Sequence, residues 1–96
     1  MENIKQKDAI IKIVEIFFPK AKIYLFGSFA RGDNKRGSDI DIALDNGQPL
    51  PIIQHQQVRN MIECLNMIQN VDVVDFRSVP EKLQKAILTE GVVWKD

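Results

Sequence analysis

Residues 24–44, with the sequence YLFGSFARGDNKRGSDIDIAL, decide the fold of this chain. An apolar run ends at the small pair Gly27-Ser28, and ten residues rich in polar and basic side chains separate Ser28 from Asp39. From Asp39 to Leu44, acidic or small residues alternate with large apolar ones. Such alternation is typical of a β-strand with one buried face. The stretch therefore predicts two strands joined by a glycine turn and a basic loop.

Asp39 and Asp41 are candidate ligands for divalent cations. Successive side chains of a strand point to opposite faces, so these two carboxylates share a face, ~6.6 Å apart along the strand. Paired carboxylates suit hard cations such as Mg²⁺, which prefer oxygen ligands and keep substrate phosphates as further ligands. A single Asp-x-Asp is also common in half-exposed sheets. Its place after a Gly-Ser turn and a basic loop favours a site for two divalent cations and a nucleoside triphosphate.

The Gly27-Ser28 turn is a candidate anion site. A strand that ends at glycine and leads into a helix leaves backbone N–H groups unpaired. Glycine lacks the Cβ that would block a phosphate, and the Ser28 hydroxyl adds a donor. Arg31, Lys35 and Arg36 place positive charge in the following loop. A Gly-Ser turn alone is more often structural, and the chain contains neither the Walker lysine pattern nor G-x-G-x-x-G.

Composition excludes several other classes of protein. Thirteen basic and thirteen acidic residues balance, which argues against general binding of nucleic acid or anionic membranes. The sequence has one cysteine and one histidine, so neither an intrachain disulfide nor a zinc site is expected. No signal-peptide core is present, and no apolar run approaches the ~20 residues that span a bilayer. We expect one domain over residues 1–96, located in the cytoplasm.

The hydrophobic periodicity predicts the element order α-β-α-β-α-β-α-β. Helices are expected from Asn3 to Phe18 and over residues 29–32, 51–68 and 80–91, and strands over 23–26, 39–44, 71–76 and 92–94. This order predicts an α/β (α+β) fold, with a small mixed β-sheet and helices packed on it. On the third helix we expect Met61 and Cys64 to be buried and His55 to be packed or partly exposed.

The whole motif resembles the signature of the DNA polymerase beta type of nucleotidyltransferase superfamily, in which Gly-Ser is followed ten residues later by Asp-x-Asp. Gly27, Ser28, Asp39 and Asp41 match it position by position. The segments GSFARG and SDIDI are most similar to the minimal nucleotidyltransferases of bacteria and archaea, some of which are MNT-type antitoxins. The resemblance covers nearly the whole chain and implies a polymerase-beta-like nucleotidyltransferase fold.

The resemblance also implies a third carboxylate on a later strand. The segment VDVVDF at 71–76 offers Asp72 and Asp75, which lie on opposite faces. Asp72 fits the family's pattern of an acid between hydrophobic residues, and Asp75 is expected at the surface or facing a partner. The catalytic and metal-binding residues implied for two Mg²⁺ ions are Asp39, Asp41 and Asp72. Those implied for binding the nucleotide, with ATP as the substrate, are Gly27, Ser28 and Arg31.

Because no segment is left to hold an acceptor, we expect the acceptor either to be small and loosely held or to come from another chain. The resemblance favours the second of these. Minimal nucleotidyltransferases typically pair with a helical HEPN-type protein, often as antitoxin and toxin. The resemblance therefore implies transfer of AMP from ATP to a tyrosine of such a partner, with no direct contact to nucleic acid or membrane. Two alternatives stay open. One is a non-catalytic module that neutralises or scaffolds its partner by contact, and the other is nucleotidyl transfer to a small molecule.

Overall fold

Within residues 4–35 and 37–96, which the computed structural model describes, four strands form one mixed sheet. In chain order they are β1 (Lys22–Phe26), β2 (Ile40–Asp45), β3 (Val71–Asp75) and β4 (Val92–Lys95). Their order across the sheet is β3-β2-β1-β4. Strand β1 is antiparallel to both β2 and β4, whereas β2 and β3 are parallel. The predicted helix start at Asn3 and the loop residue Arg36 lie outside the described residues.

The helices alternate with the strands as the sequence predicted. They are α1 (Lys7–Phe17), α2 (Ser28–Arg31), α3 (Ile52–Glu63) and α4 (Glu81–Glu90). The predicted mixed sheet with helices packed on it is confirmed. In the part of the chain that the structure describes, no helix is long and apolar enough to cross a membrane.

The third helix is shorter than predicted, because it ends at Glu63 and not at Ile68. Asn66 has a left-handed backbone with a φ of 52°, a conformation that asparagine tolerates better than most residues. Ile68 is 97% exposed. The apolar residues after Glu63 therefore belong to the turn that leads into β3 and do not extend the buried stripe of the helix.

One face of the sheet carries the main core. Alternate residues of β1 and β2 are fully buried there, and α1 and α3 cover them. The completely buried members of this core are Ile10, Val14, Ala21, Ile23, Leu25, Ile42, Leu44 and Val58. Each large aliphatic side chain contributes roughly 1.5–3 kcal/mol when fully buried. Because a slip of one residue would turn these side chains toward solvent, the core fixes which face of β2 points inward.

Helix α4 covers part of the opposite face. Its Ile87 packs with Ala43 and Phe76, and Tyr24 borders the same cluster. Asp41 also lies on this opposite face, because its strand neighbours point into the main core. The acidic positions of β2 therefore lie on the face that one helix, rather than two, protects.

Exposure differs from the prediction at Met61 of α3 and at Cys64, which follows the last residue of this helix. Met61 is 38% exposed and Cys64 is exposed, because Val58 and Ile62 are the residues that α3 buries. His55 is partly buried, as predicted, and its Nε2 lies 2.8 Å from the carbonyl oxygen of Val73. This hydrogen bond occupies a carbonyl of β3, which is an edge strand of the sheet.

Asp75 is buried, so the prediction that it lies at the surface or faces a partner is wrong. Its exposed fraction is 8%, and it pairs with Leu44 in the register of β2 and β3. Its Oδ2 accepts hydrogen bonds from the backbone N–H of Leu50 at 2.8 Å and from the Ser78 hydroxyl at 2.7 Å. Its Oδ1 accepts the N–H of Arg77 at 3.2 Å. The Asp75 carboxylate thus joins two loops at the end of the sheet remote from Asp41.

We expect Asp75→Asn to lower the free energy of unfolding by about 1–3 kcal/mol, because the amide nitrogen would oppose groups that donate hydrogen bonds to the carboxylate. Urea denaturation measures this change. The matched control is Asp72→Asn, the same substitution on the same strand at an exposed position, which should change stability by less than about 0.5 kcal/mol. Equal stability of the Asp75→Asn variant and the wild type would contradict a structural role for Asp75.

Candidate active site

Asp41 and Asp72 lie side by side on neighbouring strands. The parallel register of β2 and β3 pairs Asp41 directly with Asp72, and paired residues on adjacent strands point to the same face. Asp41 is half-buried, whereas Asp72 is exposed. Two strands that are far apart in the sequence thus bring two carboxylates to one place on the sheet.

Asp39 is a third acid close to this pair. It precedes Ile40, the first residue of β2, and is exposed. Its charge raises the pKa of Asp41, which indicates that the carboxylates interact. In the described part of the chain, however, no three acidic, histidine or cysteine side chains are already arranged as a metal site. Mg²⁺ commonly binds one or two carboxylates together with waters and substrate phosphates.

The register distinguishes the two acids of β3. Asp72 pairs with Asp41, whereas Asp75 pairs with Leu44 and is buried on the side of the main core. Of these two acids, the structure therefore brings only Asp72 to Asp41.

Gly27 makes room for the Asp41 carboxylate. The register of β1 and β2 pairs Phe26 with Asp41, so Gly27 follows at the end of β1 beside the acid. A Cβ built on Gly27 would overlap Oδ2 of Asp41. The backbone of Gly27 also has a φ of 75° and a ψ of −154°, which favours glycine. The sequence predicted that this glycine leaves space for a phosphate, and the structure shows that Asp41 occupies the adjacent space.

Ser28 and Arg31 are the two ends of α2, the short helix that begins directly after Gly27. No side chain caps the start of this helix, and the N–H groups of a first helical turn lack partners within the helix. The backbone N–H of Arg31 donates to the carbonyl of Gly27 at 3.1 Å. Gly27, Ser28 and Arg31 are thus held together on one tight turn beside Asp41.

The Arg31 side chain is half-exposed and lies between acidic groups. Its Nε donates to Oδ2 of Asp33 at 3.2 Å, and its Nη1 is 3.7 Å from Oε1 of Glu90. The hydrogen bond that Arg31 donates to Asp33, together with the charges of Asp33 and Glu90, raises the pKa of Arg31. No pattern in the sequence pointed to Glu90, which is far from Arg31 along the chain. Lys35 is exposed in the loop.

Like charges surround Asp41. Burial raises the pKa of the Asp41 carboxyl above its ordinary value, and the charges of Asp72 and Asp39 raise it further. Arg31 acts in the opposite direction. The site therefore has an excess of negative charge around a half-buried carboxylate, and a bound cation would relieve that excess.

We expect Asp41→Asn to raise Tm when no divalent cation is present. The pKa of Asp41 is higher in the folded chain than in the unfolded chain, so the fold loses stability as the pH rises through the interval between the two values. At pH 7 the variant should melt about 2–4 °C above the wild type, because repulsion between partly exposed charges is worth less than about 1 kcal/mol. The gain should disappear below about pH 4. Thermal denaturation in EDTA measures it.

The matched control is Asp45→Asn, which changes the other end of the same strand. Burial opposes the charge of Asp45, but hydrogen bonds from Arg77 and the Gly47 N–H, with the charges of Arg77 and Lys22, lower its pKa. Arg77 Nε and Nη2 lie 2.8 and 3.2 Å from the two oxygens of Asp45. This stabilisation is lost as the pH falls through the lowered pKa. Asp45→Asn should therefore lower Tm at pH 7. A rise of Tm in both variants would contradict the conclusion that the charge of Asp41 is unfavourable and that of Asp45 favourable.

The chain is similar in sequence to the protein adenylyltransferase MntA of Shewanella oneidensis. The two are 35% identical over 86 residues, which cover 88% of this chain and 61% of the relative. The chain thus spans less than two thirds of the length of that protein.

Solved structures show the same fold in toxin–antitoxin complexes. A chain of a toxin–antitoxin complex with AMP-PNP matches with a TM-score of 0.77 and 34% identity, over 92% of this chain and 71% of that chain. A chain of the tri-AMPylated Shewanella oneidensis HEPN toxin in complex with MNT antitoxin matches with a TM-score of 0.71 and 31% identity. That match covers 93% of this chain and 68% of the other.

The family described as "Polymerase beta, Nucleotidyltransferase" matches residues 8–95. The matched range contains all four strands, the Gly27-Ser28 turn and the acids of β2 and β3. The likeness therefore extends over nearly the whole chain and includes the site described above. This chain belongs to the polymerase beta nucleotidyltransferase family.

Proposed function

We propose that this chain transfers AMP from ATP to a tyrosine hydroxyl of a helical HEPN-type protein, and that it acts as the antitoxin of a toxin–antitoxin pair. The observation that carries the proposal is the pairing of Asp41 with Asp72 beside Gly27. Family membership and the named relatives support it. One relative is a protein adenylyltransferase, and similar structures contain AMP-PNP or a tri-AMPylated HEPN toxin with MNT antitoxin.

The donor chemistry of the acidic set fits Mg²⁺. Carboxylate oxygens are the ligands that this cation prefers, and Asp41 is half-buried among like charges. Asp39, Asp41 and Asp72 would hold two Mg²⁺ ions. When bound, these ions would activate the acceptor hydroxyl and neutralise charge on the triphosphate.

The turn after β1 would bind the triphosphate. The Ser28 hydroxyl and the unpaired N–H groups of the first turn of α2 would donate hydrogen bonds to the β- and γ-phosphates. Arg31 would add positive charge on the same side. Because Gly27, Ser28 and Arg31 belong to one tight turn, the phosphates would be held at a fixed place relative to Asp41, and such positioning is a large part of catalysis in phosphoryl transfer.

The tyrosine hydroxyl that accepts AMP would approach the exposed carboxylate of Asp72. The tyrosine oxygen would form a bond to the α-phosphorus while the bond from that phosphorus to the bridging oxygen of the β-phosphate breaks. AMP then stays on the tyrosine and pyrophosphate leaves. Asp72 is the group proposed to accept the hydroxyl proton. Its exposure suits an acceptor that arrives on the surface of another protein.

Incubation with α-labelled ATP, Mg²⁺ and a HEPN-type protein encoded beside this chain should label that protein. Asp41→Asn should reduce the initial rate at least 100-fold, because loss of a group that stabilises the transition state typically costs about 10²–10³. Asp45→Asn is the control, because it removes a carboxylate from the remote end of β2 and should retain the rate below its melting temperature. Absence of label with the wild type, or an undiminished rate with Asp41→Asn, would refute the proposal.

The same proteins can be used to distinguish a catalytic antitoxin from one that neutralises the toxin by contact alone. Cells that express the toxin should lose protection when the antitoxin carries both Asp39→Asn and Asp41→Asn, provided that the variant still binds the toxin in a pull-down. Full protection by this double variant would instead support a non-catalytic binding module.

Divalent cations should be required for nucleotide binding. With Mg²⁺, AMP-PNP at about 100 times its Kd should stabilise the fold by about 2.7 kcal/mol and raise Tm by several degrees. EDTA should abolish the shift, because the triphosphate would then face uncompensated carboxylates. Differential scanning fluorimetry measures both conditions. An equal shift in EDTA would contradict the requirement for a metal.

Two parts of the proposal rest on the sequence. The first is that residues 1–96 act as one nucleotidyltransferase domain, and the second is that the protein works in the cytoplasm. Both stay predictions.

A further inference from the structure

Two acids from different parts of the fold hold the Arg31 guanidinium. Asp33 lies two residues further along the chain and accepts a hydrogen bond from Nε at 3.2 Å, and Glu90 at the end of α4 is 3.7 Å from Nη1. A guanidinium has five N–H donors. The one on Nε is used in the hydrogen bond to Asp33, so the donors on the two Nη atoms remain for a ligand. The side chains of Arg31 and Glu90 are 47% and 49% exposed. An ion pair with that exposure adds little to stability, which leaves the position of the guanidinium as a property that Glu90 can affect.

The backbone that carries Glu90 is fixed against the strand that leads into the active-site turn. The N–H of Gly91 donates to the carbonyl of Ile87 at 2.8 Å, and Val92 pairs with Leu25. A Cβ built on Gly91 would overlap the carbonyl oxygen of Ile87 and lie 3.2 Å from that of Leu25. Glycine at 91 thus allows the end of α4 to approach β1 closely, just before Gly27 and Ser28.

A carboxylate at this place would repel a bound triphosphate, so it can favour binding only through a cationic group. Asp39, Asp41 and Asp72 already make the site acidic, and Glu90 adds a further negative charge close to Arg31. The favourable effect available to Glu90 is on the conformation of Arg31. A free arginine loses rotamer freedom when it binds a phosphate, and an arginine already held in place loses less.

We propose that Glu90 is a positioning residue for the nucleotide, which holds the Arg31 guanidinium at the edge of the triphosphate site with its remaining N–H donors free for phosphate. This inference rests on the proposed function, in which Arg31 binds the phosphates of ATP. It gives α4 a part in nucleotide binding through its contact with Arg31.

Calorimetric titration with AMP-PNP in the presence of Mg²⁺ tests the inference. Glu90→Gln should weaken binding about 3- to 10-fold, the range expected when one long side chain must be immobilised on binding. In the transfer assay the KM for ATP should rise while kcat at saturating ATP stays unchanged. Glu90→Asp keeps the charge and should recover part of the affinity. The matched control is Glu81→Gln, in the first turn of α4, where Glu81 pairs with Lys85 and not with the active site.

The double variant Arg31→Ala/Glu90→Gln decides whether Glu90 acts through Arg31. In the Arg31→Ala background, Glu90→Gln should change the Kd by less than about 1.5-fold, because no guanidinium remains to be positioned. The inference would be overturned if the Glu90→Gln variant bound AMP-PNP as tightly as the wild type or more tightly. It would also be overturned if Glu90→Gln weakened binding by the same factor in the Arg31→Ala background. Failure of the wild type to bind AMP-PNP would overturn the proposed function together with the inference. Normal wild-type binding without an effect of Glu90→Gln would overturn the inference alone.

Discussion

The contact between the Asp41 carboxylate and Gly27 is the constraint on which the site depends. The residue before Gly27 pairs with Asp41, and any Cβ at Gly27 would overlap the carboxylate. The neighbours of Asp41 on β2, Ile40 and Ile42, are buried in the main core. The apolar residues of β2 therefore hold an acid in an unfavourable place, half-buried beside two like charges. The core provides the free energy that keeps this acid in place.

The distribution of helices makes the acidic face accessible. Two helices, α1 and α3, cover the face with the large aliphatic side chains, whereas α4 covers only part of the other face. Asp39 and Asp72 are exposed as a result, and Asp41 is reached from the same side. Helix α4 ends where Glu90 approaches Arg31, so the helix that leaves the site open also contributes charge at its border.

The local sequence pattern predicted those parts of the structure that depend on residues close together along the chain. The alternation from Asp39 to Leu44 predicted β2 and its two faces, and the Gly27-Ser28 pair predicted the turn. The choice between Asp72 and Asp75 needed the register of two distant strands, because alternation alone places them on opposite faces without saying which face carries the site. The motif of a known family supplied that choice.

Other features could not be predicted because they depend on contacts between distant residues. The approach of Glu90 to Arg31 follows from the close packing of Gly91 on β1, which no local pattern shows. The early end of α3 and the exposure of Met61 and Cys64 have a related cause. In the sequence, an apolar residue that follows a helix looks the same as an apolar residue within the helix. Ile68 is such a residue, and it is almost fully exposed.

The edge position of β3 has a consequence for how the site is maintained. Asp72 belongs to an outermost strand, held on one side by β2 and by the hydrogen bond between His55 and Val73. Edge strands open more easily than central ones in native-state fluctuations. Transient detachment of β3 would separate Asp72 from Asp41 while Gly27, Ser28 and Asp41 stay together on the antiparallel strands β1 and β2. The turn that would bind the triphosphate can thus persist when Asp72 has moved away. The hydrogen bond of His55 and those of Asp75 are contacts that oppose this separation.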